Sequence, residues 1–215
     1  MIWFTLPILC YLIGSIPVSL IAGKISRGVD IREIGSGNAG ATNSYRELGL
    51  ITGIIVLLFD VLKALIPLLF IKLYLEKNNI PSELVQRELL MVICLSLVIT
   101  GHVFPVFAKF KGGKAVASGA GGITAVIPIL SPLCLIVFLL TATITRYISL
   151  ASIFSAWSLS LFYTGLVLLK RQDFSLVFMI YFILIGMIIT LLHRKNIRSL
   201  INGSERKISK FSKNH

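Results

Sequence analysis

The sequence predicts an all-α, polytopic integral membrane protein, and three observations carry that expectation. Of 215 residues, 56% are hydrophobic and only 14% charged, and the mean hydropathy is +0.91. That is more apolar side chain than a soluble domain of this size can bury. The apolar residues fall in runs near the roughly 20 residues that a bilayer-crossing helix needs, and the polar residues gather in a few short segments between the runs. No internal repeat or low-complexity tract divides the chain, so residues 1–215 read as a single transmembrane domain with a basic tail over about 193–215.

Uncharged or nearly uncharged runs occupy 2–23, 48–74, 89–107, 115–145, 147–169 and 174–192. The first reads as a retained anchor with its amino end outside, because no positive charge precedes it whereas Lys24 and Arg27 follow it. The fourth run, 31 residues with Pro128, Ser131 and Pro132 near its centre, is too long for one comfortable crossing. It forms either one kinked helix or two short helices.

Charge separates these alternatives. With seven spans, the segments 24–47 and 108–114, Arg146 and the tail from His193 all lie on the cytoplasmic side and hold 15 Lys or Arg, against four outside at Lys77, Arg87, Lys170 and Arg171. Six spans would divide the basic segments between the two faces, against the positive-inside bias. The expectation is therefore seven transmembrane helices, the fourth and fifth short and forming a hairpin, with the amino end outside and the carboxyl tail cytoplasmic. All the polar segments then share one face.

The net charge of +12 fits orientation and contact with anionic membrane lipids rather than nucleic acid. Cys10, Cys94 and Cys134 stand far apart in apolar runs without ligand or redox spacing, so no metal, disulfide or other cofactor is implied.

Four segments carry the chemistry. In "REIGSGNAGATNSYREL" (32–48), Gly35, Gly37 and Gly40 spell G-x-G-x-x-G, but a membrane helix precedes them instead of the strand that a dinucleotide fold requires. What remains is small residues that let a ligand approach the backbone, an anion-binding nest of N–H groups, donors from Ser36, Asn38, Thr42 and Asn43, and the guanidinium of Arg46. In "GHVFPVFAKFKGGKAVAS" (101–118), Gly112, Gly113 and Lys114 join two spans. Ala108 and Ala115 rule out a Walker A loop, yet a Gly-Gly-Lys helix start offers free N–H groups and a cation to an anion. His102, near the end of a span, reads as structural.

The third segment, "TRYISLASI" (145–153), places Ser149 and Ser152 on one helix face beside Arg146, and the fourth, "HRKNIRSLINGSERKI" (193–208), places His193 three residues before Asn196 with Glu205 the one acid in a basic tail. Asp60 and Lys63 lie one turn apart inside the second span, about 15 Å from its start at 1.5 Å per residue, and read as a structural pair.

Together these segments resemble the membrane-bound, acyl-phosphate-dependent glycerol-3-phosphate acyltransferases of bacteria, the PlsY family. The resemblance rests on "GSGNAGATNSYRELG" (35–49), "GHVFPVFAKFKGGKAVAS" (101–118) and "HRKNIRSLINGSE" (193–205), with support from "FDVLK" (59–63) and "RYISLASI" (146–153). It implies a seven-helix fold in the bacterial cytoplasmic membrane with the active site at the cytoplasmic face. It also implies transfer of a fatty acyl group from acyl phosphate to the sn-1 hydroxyl of glycerol 3-phosphate, giving lysophosphatidate and phosphate in the first acylation of phospholipid synthesis. The enzyme that forms the acyl phosphate would be an upstream partner.

The resemblance implies catalytic roles for Ser36, Lys114, Ser149 and His193, and substrate contacts at Arg46 and Asn196. The glycine loops add Gly35, Gly37, Asn38, Asn43, Gly112 and Gly113 as substrate-binding positions, while Asp60, Lys63 and Glu205 are structural. Two departures from the family pattern are visible: Ala115 replaces the glycine expected after Gly-Gly-Lys, and Ser199 replaces a basic residue. No His is followed by Asp five positions on, since Phe107 and Arg198 stand there, which disfavours a thioester-using acyltransferase. The alternative reading is a transporter of a phosphorylated metabolite, against which stand the lack of a repeat and the gathering of polar groups on one face.

Overall fold

The computed structural model describes residues 2–80 and 83–208; Lys210 and Lys213 of the basic tail lie outside the described residues. Every regular element among them is helical. The helices gather into two compact units, Met1–Pro128 and Ile129–His215, whereas the sequence suggests one domain. The division falls at Pro128, in the non-helical link between two helices.

The first unit opens with α1 (Ile2–Gly14) and α2 (Val18–Arg27), which together make one apolar span, followed by the short α3 (Ala41–Leu48). Next come the long α4 (Leu50–Asn78), α5 (Leu84–Val103) and the short α6 (Val116–Val126), with a single 3-10 turn at Val106–Ala108. The first apolar run is thus broken where the sequence suggests continuity. Pro17 has no N–H to continue the ladder, and the chain restarts after it. α2 ends on Gly28, whose left-handed φ of +69° lets its N–H close onto the carbonyl of Lys24.

α4 buries a stripe at Gly53, Val56, Asp60, Ala64, Leu68, Ile71 and Leu75, a spacing of three and four that lines one helical face. Its other faces expose Ile51, Ile54, Leu58, Phe59 and Phe70, the pattern of a helix whose outer surface meets lipid. Two lysines of α4 reach helix ends: Lys63 Nζ donates to the carbonyl of Ile16 at the α1–α2 break (3.1 Å), and Lys72 Nζ to that of Val126 at the end of α6 (3.0 Å). α1 packs on α5 with almost no side chain between them, because a Cβ at Gly14 would strike the backbone of Val98 and one at Gly101 the backbone of Tyr11 and Ser15. Across the same contact lie the buried free thiols of Cys10 and Cys94, 84 positions apart in sequence.

The second unit holds α7 (Leu130–Thr145), α8 (Ile148–Leu168), α9 (Leu176–Leu192) and α10 (Arg194–Ile201), with a 61° bend between the last two. The break at 127–129 falls where the prolines predict it. Ile127 precedes Pro128, which disfavours helical geometry, and Pro132 sits in the first turn of α7, where a missing N–H is harmless. Tyr163 on α8 is fully buried, edge-on to Phe182 of α9 at 5.3 Å, and its hydroxyl accepts from the Ser175 N–H at 2.7 Å, tying down the α8–α9 loop.

Among the described residues four helical stretches are long and apolar enough to cross a bilayer, and α9 with α10 makes a fifth if the bent pair is one span; α6 and α7 are shorter apolar helices. The chain is a multi-pass membrane protein.

The Gly101 contact gives a direct test. Gly101→Val forces α1 from α5 and is expected to lower stability by roughly 1–3 kcal/mol, the usual result of overpacking, whereas Gly165→Ala, with open space at its Cβ, is expected to be neutral or slightly stabilising. Thermal unfolding of the two variants in detergent separates these outcomes.

Candidate active site

The first glycine loop is built on a small core of Ile31, Ala39 and Leu48, packed by Leu20, Val29 and Ile34. Asn43 of α3, 1% exposed, donates both amide hydrogens to the carbonyls of Ile31 (3.0 Å) and Ile34 (3.1 Å) and accepts from the Ser36 N–H (2.9 Å). The expectation that Asn43 contacts substrate gives way to a loop-holding role, because its amide hydrogens are already bonded within the protein.

Gly35 and Gly37 have φ of +62° and +70°, and a Cβ at Gly35 would collide with the side chains of Asn43 and Glu47. Between these left-handed glycines Ser36 stands exposed, with Asn38 and Arg46 half-buried nearby in the sequence.

Asp30 and Arg32 were not singled out by the sequence, yet they fix the loop. Arg32 grips the Asp30 carboxylate through Nη2 (2.6 Å) and Nε (3.0 Å), and its Nη1 donates to the carbonyls of Ala108 (2.8 Å) and Lys111 (3.3 Å). One guanidinium thus ties the first glycine loop to the second. The hydrogen bonds from Arg32 hold the Asp30 carboxyl down to about 2, against an ordinary 3.8. The only sequence signal was the Asp-x-Arg spacing, which is common in turns.

The second loop departs from its expected chemistry in one respect. The Gly112 N–H donates to Val103 (3.0 Å) and the Gly113 N–H to His102 (3.1 Å), so neither is free for an anion. Both glycines are required by close approach. A Cβ at Gly112 would meet the carbonyls of His102 and Val103, and one at Gly113 the His102 ring and the Ala39 carbonyl. Half-buried Lys114 follows, and then Ala115 in the left-handed region at φ +57°, which explains the glycine that the family pattern leads one to expect there.

Beneath this turn lie Asp60 and Lys63 of α4, 2.8 Å apart as an i,i+3 ion pair, and His102 of α5, whose Nδ1 is 3.4 Å from Asp60 Oδ1 and 3.3 Å from Ser118 Oγ of α6. The cluster borders a narrow cleft of about 10 Å³, room for a single water molecule, lined also by Pro17, Ser19, Gly112 and Gly113.

The second unit holds its own polar cluster. Ser149 Oγ, at the start of α8, and Asn196 Nδ2, on α10, both donate to Glu205 Oε1 at 2.7 Å. The tail folds back onto the α7–α8 junction: the Ile208 N–H donates to the Arg146 carbonyl (2.8 Å) and Lys207 lies over the Tyr147 ring (5.4 Å). His193 is 3% exposed, with Nδ1 2.8 Å from the Ile189 carbonyl. A carbonyl only accepts, so Nδ1 carries the proton, and in the neutral ring Nε2 is the basic nitrogen. Among the described residues no three His, Cys, Asp or Glu side chains are grouped to hold a metal ion.

An all-helical multi-pass membrane protein with polar clusters on its glycine loops and helix ends is the class that this architecture defines. A family model described as glycerol-3-phosphate acyltransferase matches residues 4–203, and the chain belongs to that family, in its PlsY form. It is 36% identical over 222 residues to the glycerol-3-phosphate acyltransferase of Chlorobium phaeovibrioides, with 93% of each chain covered. With glycerol-3-phosphate acyltransferase 2 of Bacillus anthracis it shares 41% over 201 residues, covering 94% of this chain and 96% of the relative. The crystal structure of PlsY, an integral membrane glycerol 3-phosphate acyltransferase, in its glycerol 3-phosphate form matches with a TM-score of 0.80 at 34% identity over 96% of both chains. The lysophosphatidic acid form matches at 0.79 and 35%, over 96% of this chain and 95% of that one.

Two outcomes check the loops. Ala115→Gly relieves a left-handed alanine and is expected to raise stability by up to about 1 kcal/mol in thermal unfolding. Because the Asp30 carboxyl is depressed to about 2, its ion pair stabilises the fold above about pH 4 and that contribution fades as pH falls toward 2. Partly solvated, it is of order 1 kcal/mol. Asp30→Asn should therefore unfold earlier than the parent at pH 6, with the gap narrowing by pH 3.

Proposed function

We propose that this protein transfers a fatty acyl group from acyl phosphate to the sn-1 hydroxyl of glycerol 3-phosphate, releasing lysophosphatidate and inorganic phosphate. The observation that carries the reading is the likeness, over 96% of both chains, to a crystal structure of PlsY in its glycerol 3-phosphate form. The lysophosphatidic acid form of the same protein fits the expected product.

The glycerol hydroxyl oxygen attacks the acyl carbonyl carbon, a tetrahedral oxyanion forms, and the bond from that carbon to the phosphate oxygen breaks, the phosphate leaving with the electron pair. The donor is already activated, so the protein mainly positions the hydroxyl and balances charge. Arg46 supplies a planar fork and Lys114 a compact cation for phosphate oxygens. Ser36, exposed between two left-handed glycines, offers its hydroxyl to an anion, its own N–H being held by Asn43. Ser149 and Asn196 are oriented by Glu205, which fixes where the serine oxygen and the amide meet the substrate.

The hydroxyl proton passes to a substrate phosphate oxygen or to His193, whose Nε2 is left basic by the bond from Nδ1 to Ile189. No acyl-enzyme forms. Asp60, Lys63 and Glu205 are structural.

Seven membrane helices are inferred by counting α6 and α7 as short crossings on either side of the break at 127–129, with the amino end outside. The positive-inside bias then supports a cytoplasmic active site in the bacterial inner membrane, where the enzyme that makes acyl phosphate delivers its product.

Purified protein in lipid, given acyl phosphate and glycerol 3-phosphate, is expected to release phosphate and lysophosphatidate in equal amounts, and Lys114→Ala to lose at least about 1.4 kcal/mol of transition-state stabilisation, tenfold in kcat/KM. Uptake of a phosphorylated metabolite into sealed vesicles without product would favour transport instead. A stable acyl adduct on Ser36 or Ser149 would rule out direct transfer.

A further inference from the structure

We propose that His102 is a positioning residue: a ring locked by Asp60 and Ser118 that sets where Lys114 stands. The proposal rests on the reading of Lys114 as a phosphate contact and adds the means by which that lysine is placed.

Three helices converge on the ring. Asp60 Oδ1 of α4 and Ser118 Oγ of α6 flank Nδ1 at 3.4 and 3.3 Å, while Lys63 Nζ, 2.8 Å from the same carboxylate oxygen, balances its charge. His102 is 7% exposed and Asp60 2%, so the contacts are little screened by solvent. The far edge of the ring, at Nε2, lies against Gly113 so closely that a Cβ there would collide with it. The backbone of the same residue completes the seat, because the His102 carbonyl accepts the Gly113 N–H at 3.1 Å.

Lys114 is therefore bracketed. Gly113 before it is pressed between the His102 ring and the Ala39 carbonyl, and Ala115 after it is held in a left-handed conformation at the start of α6. Ser118, one turn into α6, is the residue that returns to the ring. Any buried histidine needs partners for its ring nitrogens; what distinguishes this one is that its far edge abuts Gly113, the residue before Lys114. An ion pair in the membrane interior is costly and persists where it does something that packing alone does not.

The test is steady-state kinetics of the full-length protein in lipid with acyl phosphate and glycerol 3-phosphate, alongside hydrogen exchange of residues 109–115. His102→Ala is expected to raise KM for glycerol 3-phosphate about tenfold with kcat within about twofold, because a displaced cation weakens ground-state and transition-state binding alike. His102→Asn returns a donor near Nδ1 and should recover most of the loss, and Ser118→Ala should raise KM about threefold, as for one neutral hydrogen bond. Exchange at Gly112 and Gly113 should quicken about tenfold in His102→Ala while the remaining helices stay protected.

Unchanged KM in His102→Ala, or a fall in kcat that follows lost folded protein without rescue by asparagine, overturns the proposal. If His102→Ala does not fold, unchanged KM in Ser118→Ala overturns it. An inactive parent protein defeats the functional reading instead, and exchange of the turn then decides the positioning role by itself.

Discussion

A bilayer offers no water to a broken helix, so every carbonyl freed inside it needs a donor from the protein itself. Here the breaks are forced by Pro17 between α1 and α2, and by Pro128 after α6. α4 answers both: Lys63 reaches the Ile16 carbonyl, and Lys72, nine residues further along, reaches that of Val126. Lysines inside a span are expensive, and in this fold Lys72 supplies a donor to the Val126 carbonyl at the end of α6, while Lys63 joins the Val18 N–H on the Ile16 carbonyl. Asp60 then balances Lys63 and faces His102. The arrangement of α1, α2, α5 and α6 depends on one long helix that supplies polar groups at the right heights.

The glycine loops are held by some residues and leave others more accessible. Asn43 and Arg32 are held in hydrogen bonds to backbone carbonyls, while Ser36 is exposed and Arg46 and Lys114 are half-buried. On the proposed function that difference matters, since a site on a loop is only as accurate as the bonds that fix the loop. In the second unit Glu205 plays the holding part, collecting Ser149 from α8 and Asn196 from α10 on one oxygen.

Much of this was legible in the sequence, and the failures have physical causes. The membrane class and the break near Pro128 follow from hydropathy and from the missing proline N–H, which act locally. The three motifs also carried the family, because several short polar segments in fixed order are far more specific than any one of them. The α1–α2 break was missed because the run around Pro17 stays apolar, and hydropathy does not register a lost hydrogen bond. Arg32 was missed because its partners at Ala108 and Lys111 are backbone carbonyls 76 and 79 residues away, which no side-chain pattern announces. The Gly112 and Gly113 N–H groups were read as available for the same reason, since their acceptors on α5 become visible only once the turn has folded back.

The bond between Ser149 and Glu205 spans 56 residues. At the roughly 5–20 residues per second of protein synthesis, the serine precedes its carboxylate by about 3 to 11 seconds. During that interval α8 and α9 are made and inserted while the hydroxyl lacks the acceptor it finally takes. The second cluster therefore forms only when the last basic segment emerges, as a closing act of biogenesis rather than a property of the inserted helices.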